Sequence, residues 1–214
     1  MKVLITGANR GIGHALYTLL AARGDDVFGT SREGAGFLPL DVADPASHHA
    51  LAREIAGTPL DLLICNAGQY LDRGQALESG YDPQMWADMF AVNVTGVFLT
   101  VQALLANLKL AAMPKVAIIS SQMASSERAP GGSYIYRASK AAALNLGRNL
   151  AQDLKPAGIA VGIYHPGWVR TDMGGAGASI SVAQSAEGLV QRFDALNLDT
   201  TGCFETYDGQ VHPF

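Results

Sequence analysis

Two rhythms of apolar residues alternate along this chain. Val3, Leu4 and Ile5 form a short continuous run that stops at Gly7. Ile12, Leu16, Leu19 and Leu20 then recur at helical spacing as far as Arg23, and Gly24 suits a C-terminal cap. Further short runs predict strands at 27–28, 37–40, 60–65, 115–121, 159–164 and 203–206. Between them, helical spacing predicts helices over 45–56, one or two within 83–113, and others over 134–155 and 182–196. The run ending at Cys65 is almost unbroken, as in a strand covered on both faces. Pro39 marks the run at 37–40 as an edge strand. Alternating strands and helices imply βαβ units. The expected fold is one α/β domain over residues 1–214, doubly wound, with about seven mainly parallel strands between two helical layers. One interval is odd. Only Ser31 to Gly36 separate the second and third strands, where a parallel crossover takes about a dozen residues or more. Either the helix there is lost and a loop crosses the sheet, or the third strand lies elsewhere.

Composition narrows the function classes. Of 214 residues, 49% are apolar and 16% charged, against a usual charged share of roughly 25%. That excludes a disordered chain and leaves apolar surface for association. Val101, Leu105, Leu108, Ala142 and Leu146 are expected on the outer faces of helices within 87–110 and 134–154, so a homodimer or homotetramer is expected. The net charge of −4 offers no basic excess for nucleic acid. Cys65 and Cys203 stand far apart without close Cys or His partners, so neither a metal site nor a disulfide framework is expected. The longest apolar region, 97–113, is broken by Gln102, Asn107 and Lys109, and a glycine turn follows Met1 too soon for a signal peptide. A cytoplasmic protein without a membrane span is the expectation. His48 and His49 are read as a solvated helix face, and His165 as structural.

The first turn carries chemistry. Thr6-Gly7-Ala8-Asn9-Arg10-Gly11-Ile12-Gly13 follows a strand and opens a helix, with glycines spaced G-x-x-x-G-x-G. Glycine lets backbone approach a pyrophosphate seated on the positive helix N-terminus. An ordinary glycine turn has the same composition; the strand–turn–helix context favours the phosphate cradle. An acidic residue about 20 positions beyond the glycines takes the ribose 2′-OH of NAD. Here Ser31 and then Arg32 stand at that place, and Arg10 lies within the turn. Guanidiniums suit a 2′-phosphate, which favours NADP(H) over NAD(H). A solvated Arg32 is the plainer alternative.

Tyr136 and Lys140, four apart, share one face of a predicted helix. A neighbouring ammonium is expected to lower the phenol's pKa and fit Tyr136 for proton transfer to or from a carbonyl oxygen. Asn66-Ala67-Gly68, Ser120-Ser121 and Pro166-Gly167-Trp168-Val169-Arg170-Thr171 each end a predicted strand, at the sheet edge where ligands sit.

TGANRGIG, NAG, the asparagine of AVNVTG, SS followed by YRASK, and PGWVRT together resemble the short-chain dehydrogenase/reductase family, in its compact single-domain branch, near the small carbonyl-reductase-like and C-factor-related members. The resemblance runs from Lys2 to about Met173 and implies a Rossmann-type fold. It implies a catalytic set in which Asn93 kinks its helix and holds a water leading to Lys140. Ser121 would bond the substrate carbonyl, Tyr136 would act as acid–base group, and Lys140 would bind the nicotinamide ribose. For the cofactor it implies Gly7, Asn9, Arg10, Gly11, Ile12, Gly13, Ser31, Arg32, Asp41, Val42, Asn66, Ala67, Gly68, Pro166, Gly167, Val169 and Thr171. Gln122, Met123, Trp168 and Met173 are expected as substrate walls, with a short loop over 172–181 as a small, flexible lid. The implied activity is hydride transfer between NADP(H) and a carbonyl or secondary alcohol of a small substrate. An NAD-linked alcohol dehydrogenase, and a nucleotide-binding regulatory module with vestigial catalysis, are the alternatives.

Overall fold

The computed structural model describes residues 1–34 and 36–214. Its strands are β1 (Lys2–Ile5), β2 (Asp26–Ser31), β3 (Leu38–Pro39), β4 (Leu62–Cys65), β5 (Lys115–Ile119), β6 (Ala160–His165) and β7 (Phe204–Thr206). The helices are α1 (Gly11–Ala22), α2 (Pro45–Glu54), α3 (Pro83–Phe90), α4 (Gly96–Ala103), α5 (Leu105–Leu108), α6 (Tyr134–Leu154) and α7 (Val182–Ala195). One sheet contains all seven strands in the order β3-β2-β1-β4-β5-β6-β7, and every neighbouring pair is parallel. This is the Rossmann-type doubly wound arrangement.

Period-two alternation sorts the strand residues between two cores. Leu4, Leu63, Cys65, Val116, Ile118, Val161 and Ile163 join Leu51, Val97, Val101, Leu144 and Ala151 under α2, α4 and α6. Val3, Ile5, Leu62, Ile64, Ala117 and Tyr164 join Leu16, Leu20, Leu189 and Phe193 under α1 and α7. β4 and β6 are buried at every position, as the apolar runs required.

The short second connection is a loop that crosses the sheet. β3 has two residues and pairs only with the last two of β2, Thr30 with Leu38 and Ser31 with Pro39. A crossover must retrace the length of the strand it pairs with, and here that length is minimal. Phe37 packs edge-on against Tyr17, 5.4 Å between centroids, and covers Gly29, where a Cβ would meet its ring at 2.6 Å. Ala35, within this connection, lies outside the described residues. β3 is the sheet edge, as Pro39 indicated.

Two expectations are corrected. Val101 and Leu108 do not face outward; both are buried in the core beneath α4 and α5. Leu105, Ala142 and Leu146 are half-buried, and Phe98 is the large exposed side chain of α4. His48 is not solvated: it is 2% exposed, and its Nε2 lies 3.1 Å from Thr100 Oγ1, joining α2 to α4. His49 is exposed. Among the described residues, no helix is long and apolar enough to cross a membrane.

Candidate active site

Seven parallel strands deliver their following segments to one edge. β1 feeds the glycine turn, β2 feeds Arg32, β4 feeds Asn66–Gly68, β5 feeds Ser120 and Ser121, and β6 feeds Pro166–Thr171. β1 and β4 are neighbours at the point where the order reverses, where doubly wound sheets bind their ligands.

The glycine turn fits a dinucleotide phosphate. Gly7 is left-handed at φ +69°, and a Cβ on Gly13 would lie 2.1 Å from the Gly7 carbonyl oxygen, so helix and turn close on each other only without side chains. Asn66 Nδ2 donates to the Thr6 and Gly7 carbonyls at 2.9 and 3.1 Å. Thr6 Oγ1 accepts from the amides of Asn66 and Ala67. Asn66 therefore braces the turn, while Ala67 lies against Gly7. α1 begins at Arg10 with no side-chain cap, whereas Asp44, Asp82 and Ser181 cap α2, α3 and α7. Its first amides are open to an anion. A Cβ on Gly11 would sit 3.7 Å from Thr171 Cγ2, which brings the β6 loop to the turn.

At the adenosine end, Ser31 is buried and donates its hydroxyl to the Glu33 carbonyl at 2.6 Å, with exposed Arg32 next. Arg10 does not gather there; its guanidinium pairs with Asp172 at 3.3 Å, and both side chains are largely exposed. Val42 is buried, and Asp41 Oδ1 accepts from the Ala43 amide.

The four residues expected to react lie around the place where β5 meets α6. Tyr136 and Lys140 occupy the first turns of α6, 7% and 5% exposed. Lys140 Nζ donates to the Ile119 carbonyl at 3.0 Å and lies 5.8 Å from the Tyr136 ring centroid. Ser121 is buried at the start of a short 3₁₀ turn, Gln122–Ala124, where its Oγ accepts from the Met123 amide. A π-helical turn, Ala91–Thr95, presents Asn93. Asn93 Oδ1 accepts from the Gln69 amide, and its Nδ2 donates to the Gln69 carbonyl and to Ser139 Oγ, all within 3.0 Å. A Cβ on Gly68 would lie 3.3 Å from Asn93 Oδ1 and 3.4 Å from Lys140 Nζ, so Gly68 leaves room between them.

The electrostatics differ from the expectation that Lys140 lowers the Tyr136 pKa. Burial pushes the phenol up to about 12, with Tyr70 and Asp72 adding to the rise, and Ser121 and Arg73 opposing it. Burial also brings Lys140 down to about 8. Desolvation dominates because both groups are out of water, and burial disfavours the charged form of each. At neutral pH Tyr136 is a neutral phenol, able to donate a proton. His165 is buried beside His212, and desolvation lowers it to about 4, so it is neutral.

Of the expected substrate walls, Gln122 is exposed and Met123 half-buried. Trp168 is 52% exposed, so it is not core, and donates Nε1–H to the Gly174 carbonyl at 2.9 Å. Met173 is exposed nearby. Val169 is buried and bridges to Ile180, which draws the ends of the 172–181 loop together. Three neighbours escaped the sequence reading: Tyr70, stacked on Tyr136 with centroids 4.2 Å apart, Asp72 and Arg73. All lie in the loop after β4.

A model of the short chain dehydrogenase family matches residues 1–179. The chain belongs to this family. Among its relatives, the C-signal of Myxococcus xanthus is 36% identical over 169 residues, which cover 77% of this chain and 99% of that protein. The 1-hydroxy-2-glutathionyl-2-methyl-3-butene dehydrogenase of Rhodococcus sp. strain AD45 is 34% identical, with 97% and 96% covered. Of solved structures, the NADPH-bound carbonyl reductase from chicken fatty liver superposes with a TM-score of 0.90 at 30% identity, over 100% of this chain and 98% of that one. These similarities place this short-chain dehydrogenase among carbonyl-reductase-like oxidoreductases.

The buried lysine has a consequence for stability. Below about pH 8 the fold holds a desolvated ammonium. Between about pH 8 and 10.5 the folded chain releases a proton that the unfolded chain keeps, so this residue's contribution to stability rises with pH across that window. Lys140→Met should therefore raise the urea midpoint at pH 7, with the gain shrinking as pH climbs to 10.5. A lower midpoint for the variant at pH 7 would show that the bond to Ile119 outweighs desolvation.

Proposed function

We propose that this chain moves a hydride between NADP(H) and the carbonyl or secondary alcohol carbon of a small molecule. The observation that carries the reading is the convergence of Asn93, Ser121, Tyr136 and Lys140 on the edge that also holds an uncapped glycine-turn helix. The cofactor, when bound, supplies or accepts the hydride. Gly7, Asn9, Arg10, Gly11, Ile12 and Gly13 would hold its pyrophosphate, Ser31 and Arg32 its adenosine ribose, and Asp41 and Val42 its adenine. Ala67 and Gly68 would line its path, with Asn66 behind them. Pro166, Gly167, Val169 and Thr171 would hold the nicotinamide end.

In reduction, Ser121 orients the substrate carbonyl and Tyr136 donates its phenolic proton to the oxygen as the alcohol forms. Lys140 would bind the nicotinamide ribose, and the Ser121 hydroxyl and Arg73 are the groups that ease the phenolate Tyr136 becomes. A carboxylate-free β2 terminus followed by Arg32 supports NADP(H), as does the NADPH carried by the chicken liver relative. A carbonyl panel with NADPH, followed by loss of reduced-nicotinamide absorbance, tests the reading. No turnover on any member, with NADPH still bound, would instead favour a nucleotide-binding regulatory module.

Tyr136→Phe keeps ring packing and removes the proton donor. It should lower the rate by about 10²-fold or more while NADPH affinity is retained. A variant that turns over like the parent would remove Tyr136 from this role.

NADPH should be preferred over NADH by about 10- to 100-fold, the effect of one charge-assisted bond from Arg32 to the 2′-phosphate. Replacing Ser31 with Asp and Arg32 with Ala together should flatten or reverse the preference in kcat/KM, by adding repulsion and removing attraction. Equal efficiency of the parent with both cofactors would refute it.

We also infer a homodimer or homotetramer. Phe98, 40% exposed on α4, and half-buried Leu105, Ala142 and Leu146 supply the apolar surface that supports it. Light scattering at micromolar concentration should give a mass of two or four chains; a single-chain mass would overturn it.

A further inference from the structure

The helix that carries Tyr136 lacks a cap of its own. Ser133 precedes α6 in a left-handed conformation, φ +47°, and makes no side-chain cap bond. Its hydroxyl is instead bonded to the Tyr70 hydroxyl. The first amides of α6 would be buried donors without partners, were it not for a carboxylate 63 residues upstream. Asp72 Oδ2 accepts from the Ile135 amide at 2.8 Å and from the Tyr136 amide at 3.3 Å. Those are the second and third helical residues, the pair that a capping side chain serves. Asp72 is 0% exposed, and its Oδ1 has no hydrogen-bond partner, so the carboxylate is committed to this helix end.

The same loop holds the ring. Tyr70 stacks on Tyr136 with an interplanar angle of 22°, and the Arg73 guanidinium lies 4.9 Å from the Tyr70 centroid. Lys140 Nζ lies 5.8 Å from the Tyr136 centroid, so each ring of the stacked pair has a cation near it. The loop is anchored in turn by Asn93, which bonds both the amide and the carbonyl of Gln69.

We propose that Asp72 is a positioning residue for Tyr136: it docks the first turn of α6 through a buried carboxylate, while Tyr70 sets the plane of the ring. The proposal deepens the reading of Tyr136 as proton donor and rests on it for its kinetic consequences. A helix end is a soft element, and the first turn frays most easily. Proton transfer needs the hydroxyl within about 0.5 Å of its productive place. A cap from another segment ties the helix start to the β4 loop, and Asn93 ties that loop to α6. The positions of donor, ring and loop are therefore set together.

The charged and titratable groups around the phenol are Asp72, Tyr70, Arg73 and Lys140, with the Ser121 hydroxyl beside it. Asp72 raises the phenol's pKa and Arg73 lowers it. Removing the Asp72 charge should therefore ease ionisation of Tyr136.

The test uses the full chain with NADPH and the most active carbonyl from the panel, in three forms: parent, Asp72→Asn and Asp72→Ala. Asp72→Ala removes the acceptor and should cut kcat at least tenfold, with KM and NADPH affinity within about twofold of the parent. Asp72→Asn keeps an acceptor without the charge. It should recover most of the kcat and move the alkaline limb of the reduction profile to lower pH. Equal kcat in parent and alanine variant would overturn the proposal. So would parallel losses in NADPH affinity and urea midpoint without rescue by asparagine, since a merely structural role predicts those. If Asp72→Ala does not fold, Asp72→Asn still decides through its kcat, and a tenfold loss despite the retained acceptor overturns the proposal. A second readout is independent of turnover. With ¹³Cζ-labelled tyrosine, the Tyr136 resonance, assigned by its loss in Tyr136→Phe, should shift in Asp72→Asn, and exchange of the Ile135 and Tyr136 amides should speed up in Asp72→Ala. If neither changes, the cap is absent, whatever the fate of the proposed activity. If both change and the parent turns over nothing, the fault lies with the function and not with the cap.

Discussion

Strand polarity is the constraint on which this site depends. Because all seven strands run the same way, each segment that follows a strand emerges on one edge, and each helix that follows it starts there. Backbone amides at a helix start and small side chains at strand ends thus meet without any special device. Two segments are stitched together at the β1–β4 switch. Thr6 and Asn66 exchange side-chain bonds with each other's backbone, so the glycine turn and the NAG segment are positioned as one unit. The opposite edge carries ordinary surface pairs instead, such as Lys2 with Asp26 and Arg23 with Asp194.

The second constraint is dryness. Tyr136 and Lys140 are both buried, and burial acts against the charged form of each. The result favours a neutral phenol beside an ammonium that holds its proton only weakly at pH 8. Ser121 and Arg73 offset part of the cost of ionising the phenol, and Asp72 and Tyr70 add to it. A phenol held neutral is suited to giving a proton, which is the requirement for reducing a carbonyl. The protein thus sets the starting protonation state by solvent exclusion before any ligand contributes a charge.

Much of this was legible in the chain, for identifiable reasons. Continuous apolar runs ended by small or polar residues marked β1, β4, β5 and β6, because both faces of the sheet are covered. The glycine turn was legible because its chemistry is done by backbone, and glycine records where backbone must approach. Val101 and Leu108 were misplaced although they belong with Val97 and Leu104 to one stripe at helical spacing, the stripe that the structure turns to the core. His48 was misread because its partner, Thr100, lies 52 residues away. Tyr70, Asp72 and Arg73 left no local trace for the same reason, since their contacts reach 63 to 100 residues along the chain. Ser133 even stands where a cap is expected, and its hydroxyl is engaged elsewhere.

Solvent exposure also separates the contacts around the site into fixed and exchangeable ones. Arg10 and Asp172 span the gap between glycine turn and β6 loop, but their side chains are 69% and 85% exposed. An ion pair so exposed contributes about 0–1 kcal/mol, little enough for Arg10 to leave Asp172 for a phosphate. Arg73, from the loop after β4, reaches the carbonyl of Met173, the residue next to Asp172, and is also exposed. The 172–181 loop is thus held at adjacent residues by two arginines, each through a contact that water can replace. The bonds of Asp72, Asn93 and Lys140 are buried, and a buried partner left unpaired costs about 1–3 kcal/mol. Rigidity is concentrated around Tyr136 and Lys140, the proposed proton-handling pair. The weak contacts fall on the 172–181 loop, the segment expected from the sequence to be the flexible one.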